Sequence, residues 1–346
     1  MKILVVGAGI VGLNIAYTLN ERGYYVEVID RADRIGSGIS GRSAGVLHLI
    51  QHPLNSIKAI LARLGIDRYR ELSEKLGFEI YNVDLNIVGY NILDKLYLES
   101  IAYILRRNGF KPRLEKIYGS VNPPLSNKIR YTLKISGYGI VDPINTLYKY
   151  VEYLSGNGVE IRLSMEEYDP NNYEYIVVAA GPYTYRLANG IDAYPPNHRY
   201  ALGVMLNVEC QVDAIYTLPP NPISRYTKGG AAIPKGDYTL LGPGFRWVDT
   251  PDAEPIEEDI NNVYKKFVRL FHEPPEISST LYGVRPINYP DDDFIIRKIG
   301  KYIFTYGIDS PGYTAAPLIS DIIYKMVNTG DRYIELTKDN LMRYIA

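Results

Sequence analysis

The sequence predicts an α/β protein in which a Rossmann-type nucleotide-binding domain is interrupted by a second, mostly antiparallel β domain. A β-branched run near the amino terminus leads directly into Gly7-Ala8-Gly9-Ile10-Val11-Gly12. Alternating strand and helix patterns return in two later parts of the chain, and β-rich segments separate them. The length of 346 residues also favours two lobes, because a single hydrophobic core stops growing at about 250–300 residues.

The first βαβ unit carries the strongest local motif. A strand at Ile3–Val6 precedes the glycine motif, and a helix and a second strand at Val26–Ile29 follow it. The first glycine permits a tight turn, the second lets a pyrophosphate approach the backbone, and the third lets helix and strand pack closely. The helix N-terminus offers N–H donors to phosphate. Asp30, at the end of the second strand, is placed to bind ribose hydroxyls, and its charge disfavours the 2′-phosphate of NADP.

The remaining elements follow in chain order. We expect a Gly- and Ser-rich loop at 37–45, a helix at Ile57–Leu76, and short strands with one helix (Lys95–Asn108) within 79–139. A helix from Pro143 to about Ser155 and strands at Gly158–Ile161 and from Tyr175 to the glycine turn at Gly181 follow. We then expect a mostly β region at 195–282, a strand at Tyr302–Tyr306, and a last helix at Ala315–Asn328 before a short tail. The acidic run 291–293 is predicted to be a solvated turn.

The interleaving of these patterns predicts a discontinuous nucleotide domain. We assign residues 1–80, 140–190 and 283–346 to it, and residues 81–139 and 191–282 to a substrate domain.

Composition excludes several classes of protein. Lys plus Arg is 38 and Asp plus Glu is 39, and this net charge of −1 argues against a nucleic-acid-binding protein. A single cysteine, Cys210, excludes an internal disulfide and a cysteine-based metal cluster. No signal peptide or membrane-spanning run is evident, so a cytoplasmic protein is expected, with peripheral membrane contact left open. The 33 tyrosines, with glutamine only at Gln51 and Gln211, indicate a thermophile.

A second group of motifs distinguishes between dinucleotides. The loop after the βαβ unit has the sequence Gly36-Ser37-Gly38-Ile39-Ser40-Gly41-Arg42-Ser43-Ala44-Gly45-Val46-Leu47-His48. In order along the chain follow Pro53-x-x-x-x-Lys58-Ala59, Asp142-Pro143, Gly283-Val284-Arg285-Pro286, Asp293-Phe294-Ile295-Ile296 and Gly307-Ile308-Asp309-Ser310-Pro311-Gly312-Tyr313-Thr314-Ala315-Ala316-Pro317.

These motifs resemble those of the D-amino-acid-oxidase-like FAD oxidoreductases. The resemblance is to the branch with FAD-dependent glycerol-3-phosphate dehydrogenases and oxidases and L-2-hydroxyglutarate dehydrogenases, whose loop has the pattern GxxxSGRNSGVLHSG. It implies the glutathione-reductase-like fold with non-covalent FAD, and a last helix whose N-terminus faces the flavin pyrimidine ring. The chain departs from the family at His48-Leu49-Ile50, where the family has His-Ser-Gly, and at Asp30, where Glu is usual.

The motif and the resemblance together assign the cofactor contacts. These are Gly7, Gly9, Ile10, Val11, Gly12, Asp30, Arg31, Ser40, Gly41, Arg42, Ser43, Ala44, Gly45, Ala180, Gly181, Gly283, Gly307, Asp309, Gly312, Tyr313 and Thr314.

His48 is the leading catalytic candidate. By resemblance it faces the flavin, and a histidine is suited to accept the hydroxyl proton of an alcohol near neutral pH. A buttress for the flavin ring and a covalent flavin attachment stay open as alternatives. A metal site with His52 is not expected, because Pro53 breaks the helix and no third ligand is evident.

By resemblance, Arg285, which is also assigned a catalytic role, is the anchor for a substrate anion. Its guanidinium matches phosphate or carboxylate bidentately, and a surface ion pair is the alternative. Lys228, near Arg225, is a candidate second cation, against an exposed loop lysine. Ser310 either hydrogen-bonds substrate or flavin, or only shapes the turn.

The predicted reaction is oxidation of a small anionic secondary alcohol by hydride transfer to flavin N5. The first choice is sn-glycerol 3-phosphate to dihydroxyacetone phosphate, as part of glycerol metabolism, with electrons passed to quinone, another carrier or oxygen. L-2-hydroxyglutarate, an amino acid or amine, and a flavin-binding subunit of a larger complex are the alternatives. A homodimer and a partner subunit also stay open.

Overall fold

The computed structural model describes residues 1–50, 53–117, 124–191, 193–219 and 229–345. Its strands are β1 (Lys2–Val6), β2 (Tyr25–Ile29), β3 (Val46–Leu47), β4 (Tyr81–Gly89), β5 (Arg113–Lys116), β6 (Tyr131–Ile140), β7 (Glu160–Arg162), β8 (Tyr175–Val178), β9 (His198–Val208), β10 (Ile215–Thr217), β11 (Ala231–Lys235), β12 (Tyr238–Gly242), β13 (Arg246–Val248), β14 (Ile277–Asn288), β15 (Ile295–Ile299), β16 (Tyr302–Tyr306) and β17 (Tyr333–Glu335). Its helices are α1 (Ile10–Glu21), α2 (Ile57–Leu76), α3 (Ile92–Arg107), α4 (Pro143–Gly156), α5 (Thr184–Asn189), α6 (Glu257–Phe267), α7 (Gly312–Val327) and α8 (Lys338–Ile345).

The first sheet is the nucleotide-binding one. In the described part of the chain it has seven strands in the order β17-β15-β16-β8-β1-β2-β7. The pairs from β16 to β7 are parallel, and β15 and β17 join the edge as antiparallel strands. β1 and β8 are fully apolar and buried apart from their first residues, as expected for a parallel sheet that is covered on both faces.

The main hydrophobic core lies between this sheet and the helices α1, α2, α4 and α7. Leu13 of α1, Leu61 of α2, Leu147 of α4 and Ile319 of α7 are fully buried in it. α1 and α7 begin directly after the carboxyl ends of β1 and β16, apart from a short turn in each case. Their N-termini therefore lie at the same edge of the sheet, where ligands bind in folds of this kind.

The second sheet is mostly antiparallel. Among the described residues it has the order β13-β9-β12-β11-β10-β4-β6-β3, with β14 paired to β9 and β5 to β6. Only the pair β4 and β10 is parallel within the described ranges. Together the two sheets confirm the predicted fold class.

Two long strands set the relation between the sheets. β14 runs antiparallel to β9, with Arg285 opposite Ala201, and its last residues reach the turn before β15 of the first sheet. β3, directly after the loop 36–45, pairs with the end of β6. The loop and the end of β14 thus connect the two sheets at the carboxyl edge of β1.

Several sequence predictions match these bounds and a few do not. α2 and β16 have the predicted limits, whereas α3 begins three residues before Lys95. α6 is a helix inside the predicted β region. Asp259 accepts from the backbone N–H of Ile256 at the start of this helix, and the sequence analysis missed this capping signal. The predicted short tail forms β17 and α8, because Ile334 and Leu341 pack into the main core.

The acidic run 291–293 is a correction. Asp292 is only 7% exposed, and Asp293 accepts the backbone N–H groups of Ile57 and Lys58 at 2.9 Å. Asp293 therefore caps α2 through its carboxylate, which the positive end of a helix dipole favours. The prediction of a solvated turn is correct for the exposed Asp291 but wrong for Asp292 and Asp293, because these two charges have partners far away in the sequence.

No helix within the described ranges is long and apolar enough to cross a bilayer. Nor do the described His, Cys, Asp and Glu side chains form a group of three that is placed to hold a metal ion, and His52 lies outside the described residues.

Candidate active site

The glycine turn between β1 and α1 is closed by backbone contacts. Gly7 has a φ of +112°, and a Cβ there would lie 2.4 Å from the carbonyl oxygen of Ala179. A Cβ on Gly12 would lie 1.8 Å from the carbonyl oxygen of Gly7. The first and third glycines therefore have the tight-turn and close-packing roles predicted for them.

The N-terminus of α1 opens towards the ligand edge. Gly9 is its N-cap and supplies no side chain, and the backbone N–H of Ile10 donates to Ser40 Oγ at 3.0 Å. Asp30 accepts from the backbone N–H groups of Ala8 at 2.7 Å and Ala32 at 2.8 Å. Its carboxylate thus fixes the glycine turn to the end of β2, a role that the sequence analysis missed. Val11 is half-buried in the same first turn of α1.

The loop 36–45 lies across this turn and leads to β3. Gly41 packs against the backbone of Gly36, and Ser43 Oγ accepts from the backbone N–H of Gly45 at 3.2 Å. Gly45 lies against the carbonyl of Val141, and the half-buried Ala44 packs on the core of the second sheet. A Cβ on Gly283 of β14 would meet Ile39 at 3.7 Å, so the loop also contacts the second sheet.

The two arginines of this region point to aromatic rings. Arg42 is exposed, with its Cζ 5.3 Å from the ring centre of Tyr282. Arg31 has its Cζ 3.5 Å from the ring centre of Tyr183, which follows Ala180 and Gly181 at the end of β8. The Tyr183 hydroxyl donates to Asp252, which lies between β13 and α6. Arg31 is thus held beside the carboxyl ends of β2 and β8, where the nucleotide end of a dinucleotide is expected.

A second open helix N-terminus lies at the last glycine turn. Gly307 packs against the Asn288 side chain. Gly312 follows Pro311 and begins α7, whose first turn contains no acidic residue and whose N-terminus has no cap from a described side chain. The Tyr313 carbonyl accepts from the Tyr69 hydroxyl at 2.7 Å, which fixes this turn to α2.

His48 lies beside this turn. Its backbone N–H donates to Thr314 Oγ1 at 2.9 Å, and its half-buried ring meets the Tyr138 ring edge-on at 6.3 Å. The structure thus brings together the start of α7 and the histidine that the sequence analysis singled out. Ser310, half-buried, directly precedes Pro311 in the same turn.

Arg285 is a buried cation with free donors. It is 8% exposed; Nη2 is 3.5 Å from the Gly244 carbonyl oxygen, and Nε and Nη1 have no hydrogen-bond partner among the described residues. Its Cζ is 5.6 Å from the Phe245 ring centre. Burial lowers the pKa of Arg285, while the charges of Asp309 and Asp292 act in the opposite direction. Buried donors without a partner are rare and costly, so this guanidinium is suited to an incoming anion.

Lys58 completes a cluster that the sequence analysis did not predict. Its Nζ is 2.7 Å from Asp292 Oδ1 and 2.9 Å from Asp309 Oδ1, and the residue is fully buried. Burial alone would lower the pKa of Lys58, but the two carboxylates outweigh it and raise that pKa. We call Lys58, Asp292, Asp309 and Arg285 the charge cluster. The available signal was a lysine in the first turn of a helix, where a positive charge is disfavoured.

The carboxylate of Asp309 is therefore engaged by Lys58. A contact of Asp309 with a cofactor, like the other predicted cofactor contacts, stays a prediction. Lys228 and Arg225 lie outside the described residues.

The arrangement fits a flavin dinucleotide. The start of α1 offers backbone N–H groups to a pyrophosphate, and the start of α7 offers a positive helix end to an electron-rich ring. Asp30, the loop 36–45 and Gly181 surround the first end, and His48 stands at the second. We call the glycine turn 7–12, the loop 36–45 and the turn 307–314 the cofactor cradle.

Comparison with known proteins agrees with this geometry. A family model described as DAO, FAD dependent oxidoreductase, matches residues 2–326. A glycerol 3-phosphate dehydrogenase of Caloramator mitchellensis is 24% identical over 382 aligned residues, which cover 99% of this chain and 76% of the relative.

Solved structures share the fold. The dithionite-reduced L-α-glycerophosphate oxidase of Mycoplasma pneumoniae, with FAD bound, gives a TM-score of 0.82 at 22% identity, covering 95% of this chain and 94% of its own. Glycine oxidase of Geobacillus kaustophilus gives a TM-score of 0.78 at 18% identity, covering 94% of each chain. The fold is thus shared by a structure named glycerophosphate oxidase and one named glycine oxidase.

Proposed function

The chain belongs to the DAO family of FAD-dependent oxidoreductases, and from this membership we propose that it oxidises a small anionic secondary alcohol, with sn-glycerol 3-phosphate as the substrate that fits best and dihydroxyacetone phosphate as the product. The cofactor of this family is FAD. When bound, FAD supplies the hydride acceptor at flavin N5.

The buried guanidinium of Arg285 is the observation that carries the proposal. Its Nε and Nη1 lack partners among the described residues, and solvent reaches only 8% of the residue. A phosphate or carboxylate satisfies both donors in a bidentate pair, which is stronger than a neutral hydrogen bond. The site therefore selects a substrate with an anionic group at one end.

His48 supplies the proton acceptor in this proposal. The backbone N–H of His48 donates to Thr314 in the first turn of α7, which holds the residue next to the turn where the flavin ring is expected. An alcohol that loses a hydride from carbon must also lose its hydroxyl proton, and a neutral imidazole accepts it. Arg285 holds the anionic end meanwhile, so the reacting carbon keeps one orientation.

An amino acid or amine is the second candidate. The glycine oxidase fold covers 94% of this chain, and a carboxylate satisfies Arg285 as well as a phosphate does. L-2-hydroxyglutarate meets the same requirement as an alcohol. The electron acceptor is quinone, another carrier or oxygen, and substrate tests do not distinguish among these three. A role as a flavin-binding subunit of a larger complex is a further alternative.

Anaerobic photometry of the purified holoprotein tests the substrate. We expect sn-glycerol 3-phosphate to bleach the flavin band near about 450 nm, and glycerol to leave it unchanged at the same concentration. Bleaching by glycine or another amino acid, with none by glycerol 3-phosphate, would favour the second candidate. Bleaching by none of the alcohols and amines would favour the subunit. A colourless protein that cannot take up FAD would contradict the assignment of the cradle.

A further inference from the structure

The last residue of β14, Asn288, makes buried contacts that the proposed mechanism does not use. It is 3% exposed, and its side-chain amide donates to the backbone carbonyls of Asp293 at 2.7 Å and Tyr306 at 3.2 Å. Its Oδ1 accepts from the Tyr185 hydroxyl at 2.7 Å. The opposite amide orientation would place its oxygen against two carbonyl oxygens, so these contacts determine which way the group points.

These hydrogen bonds connect the substrate side of the site to the cofactor side. Arg285 lies three residues before Asn288 on the same strand, about 10 Å along it. Tyr306 is the last residue of β16 and leads directly into the turn 307–314 of the cofactor cradle. A Cβ on Gly307 would lie 2.2 Å from Asn288 Nδ2, so this turn packs directly on the amide. Asn288 thus joins the strand of the anion anchor to the turn where the flavin ring is expected.

Tyr185 holds this amide from the other side. The tyrosine is 1% exposed in α5, and its ring stacks on the ring of His198 with the two centres 3.7 Å apart. Because His198 pairs with Asn288 across β9 and β14, Tyr185 contacts both strands at their shared end. A buried hydrogen-bonded network of this kind restricts its members to one arrangement. The end of β14 therefore cannot shift relative to the turn without breaking at least one of these contacts.

Hydride transfer depends on the distance that this connection fixes. The anionic group of the substrate is held at Arg285, and the reacting carbon must at the same time reach the flavin beside the turn 307–314. Reacting groups must be held to within about 0.5 Å by supporting contacts. A misplacement of about 1 Å can lower a rate by about 10²-fold even when it arises far from the chemistry.

We propose that Asn288, held by Tyr185, is a positioning residue that fixes the distance between the anion anchor on β14 and the turn 307–314. This inference rests on the anion site and the cofactor position of the proposed function. It assigns Asn288 and Tyr185 no contact with substrate or FAD. Their loss should therefore slow flavin reduction and leave the affinity of the anion site nearly unchanged.

Two measurements on the purified holoenzyme separate rate from affinity. Anaerobic stopped-flow absorbance gives the limiting rate of flavin reduction by sn-glycerol 3-phosphate, or by whichever alcohol or amine bleaches the wild-type flavin. Calorimetric titration of the oxidised holoenzyme with inorganic phosphate gives the dissociation constant of the anion site.

The expected result is a loss of rate without a loss of affinity. Asn288→Ala should lower the limiting rate about 10–100-fold, and Tyr185→Phe about threefold to tenfold. Both variants should bind phosphate within about threefold of wild type. Because the stopped-flow signal comes from holoenzyme alone, a smaller yield of folded protein does not change this rate constant.

The Tyr150 hydroxyl provides a matched control. It donates to Asn14 Oδ1 at 2.8 Å, and this pair is buried to a similar degree as Tyr185 and Asn288, but it joins α4 to α1. Tyr150→Phe should therefore lower the melting temperature about as much as Tyr185→Phe does and leave the limiting rate within about twofold of wild type. If Asn288→Ala yields no holoenzyme, Tyr185→Phe decides, because it removes one hydroxyl and keeps the ring that stacks on His198.

The outcomes distinguish this inference from the proposed function. A limiting rate within about twofold of wild type in Tyr185→Phe, or an equal fall of the rate in Tyr150→Phe, would overturn the positioning role and leave the anion site intact. A phosphate dissociation constant that rises as the rate falls would also contradict it, since the pair would then act on anion binding. A wild-type holoenzyme that none of the alcohols and amines reduces would overturn both proposals.

Discussion

The cofactor cradle and the charge cluster are built in opposite ways. The cradle is formed from glycines, backbone N–H groups and helix N-termini, and its side-chain contacts are short hydrogen bonds such as Ser40 to Ile10. The charge cluster is formed from four buried ionisable side chains that come from α2, β14 and two turns. Backbone N–H groups can bind a cofactor without a charged side chain, whereas selection of an anionic substrate needs a cationic side chain whose donors are available to it.

The difference explains what each region tolerates. A cradle fails when atoms are added to it, because there is no space. A charge cluster fails when charge is removed from it, because a buried partner charge is left uncompensated. Substitutions should therefore separate into those that lose FAD and those that keep FAD but lose the substrate.

The largest effect is expected at Gly12. Gly12→Val places atoms where even a Cβ would be 1.8 Å from the Gly7 carbonyl oxygen, so the holoenzyme should not form, measured as FAD content after purification. Gly156→Ala, at the end of α4 and outside the cradle, is the control, because a Cβ there meets no described atom within 4 Å and φ is not positive. A yellow, fully loaded Gly12→Val protein would contradict the packing of the cradle.

A smaller effect, on the chemical step, is expected at His48. His48→Gln should keep FAD and lower the limiting rate of flavin reduction by about 10²–10⁴-fold, the usual contribution of a general base. Stopped-flow absorbance under anaerobic conditions measures this rate. A variant that retains the wild-type limiting rate would assign His48 to a buttressing role.

Arg285 should mark the boundary between the two regions. Arg285→Met should leave FAD binding within about twofold and raise KM by about 10–150-fold, since hydrogen bonds to charged groups contribute roughly 1.5–3 kcal/mol. Steady-state kinetics with a saturating electron acceptor measures KM. An unchanged KM for the anionic substrate would remove the anchor role.

The smallest effect belongs to Ser40. Ser40→Ala removes the acceptor for the Ile10 N–H and should weaken FAD binding about threefold to tenfold, near the 0.5–1.5 kcal/mol of a neutral hydrogen bond. Fluorescence titration of the apoprotein with FAD measures it. Because Ser40 belongs to the cradle alone, KM at saturating FAD should stay the same, and a changed KM would argue that the two regions are coupled.

Sequence reasoning reached the cradle because its signals are local. Gly7, Gly9 and Gly12 stand within six residues, and their spacing encodes a backbone geometry directly. α2 was predicted with its observed limits because its apolar residues recur at helical spacing, and β16 because it is a short, mostly apolar run bounded by glycines. His48 and Arg285 were found through motifs of the family, which carry information that one sequence does not.

The pairing of Lys58 with Asp292 and Asp309 escaped the sequence analysis because the partners are distant in the sequence. Lys58 and Asp309 are separated by 251 positions, and no spacing rule links them. Asp292 and Asp293 stood in an acidic run that is typical of exposed turns, and only the fold showed that one pairs with Lys58 and the other caps α2. Long-range pairing of charges depends on how the sheets meet, which local patterns do not determine.

The central claim is that Arg285 selects a substrate by its anionic group. The most direct measurement compares anaerobic flavin reduction by sn-glycerol 3-phosphate and by glycerol, in the wild type and in Arg285→Met. We predict that the wild type is reduced by glycerol 3-phosphate and hardly by glycerol, and that Arg285→Met loses most of this preference. Equal rates with both alcohols in the wild type, or an unchanged preference in Arg285→Met, would contradict the account.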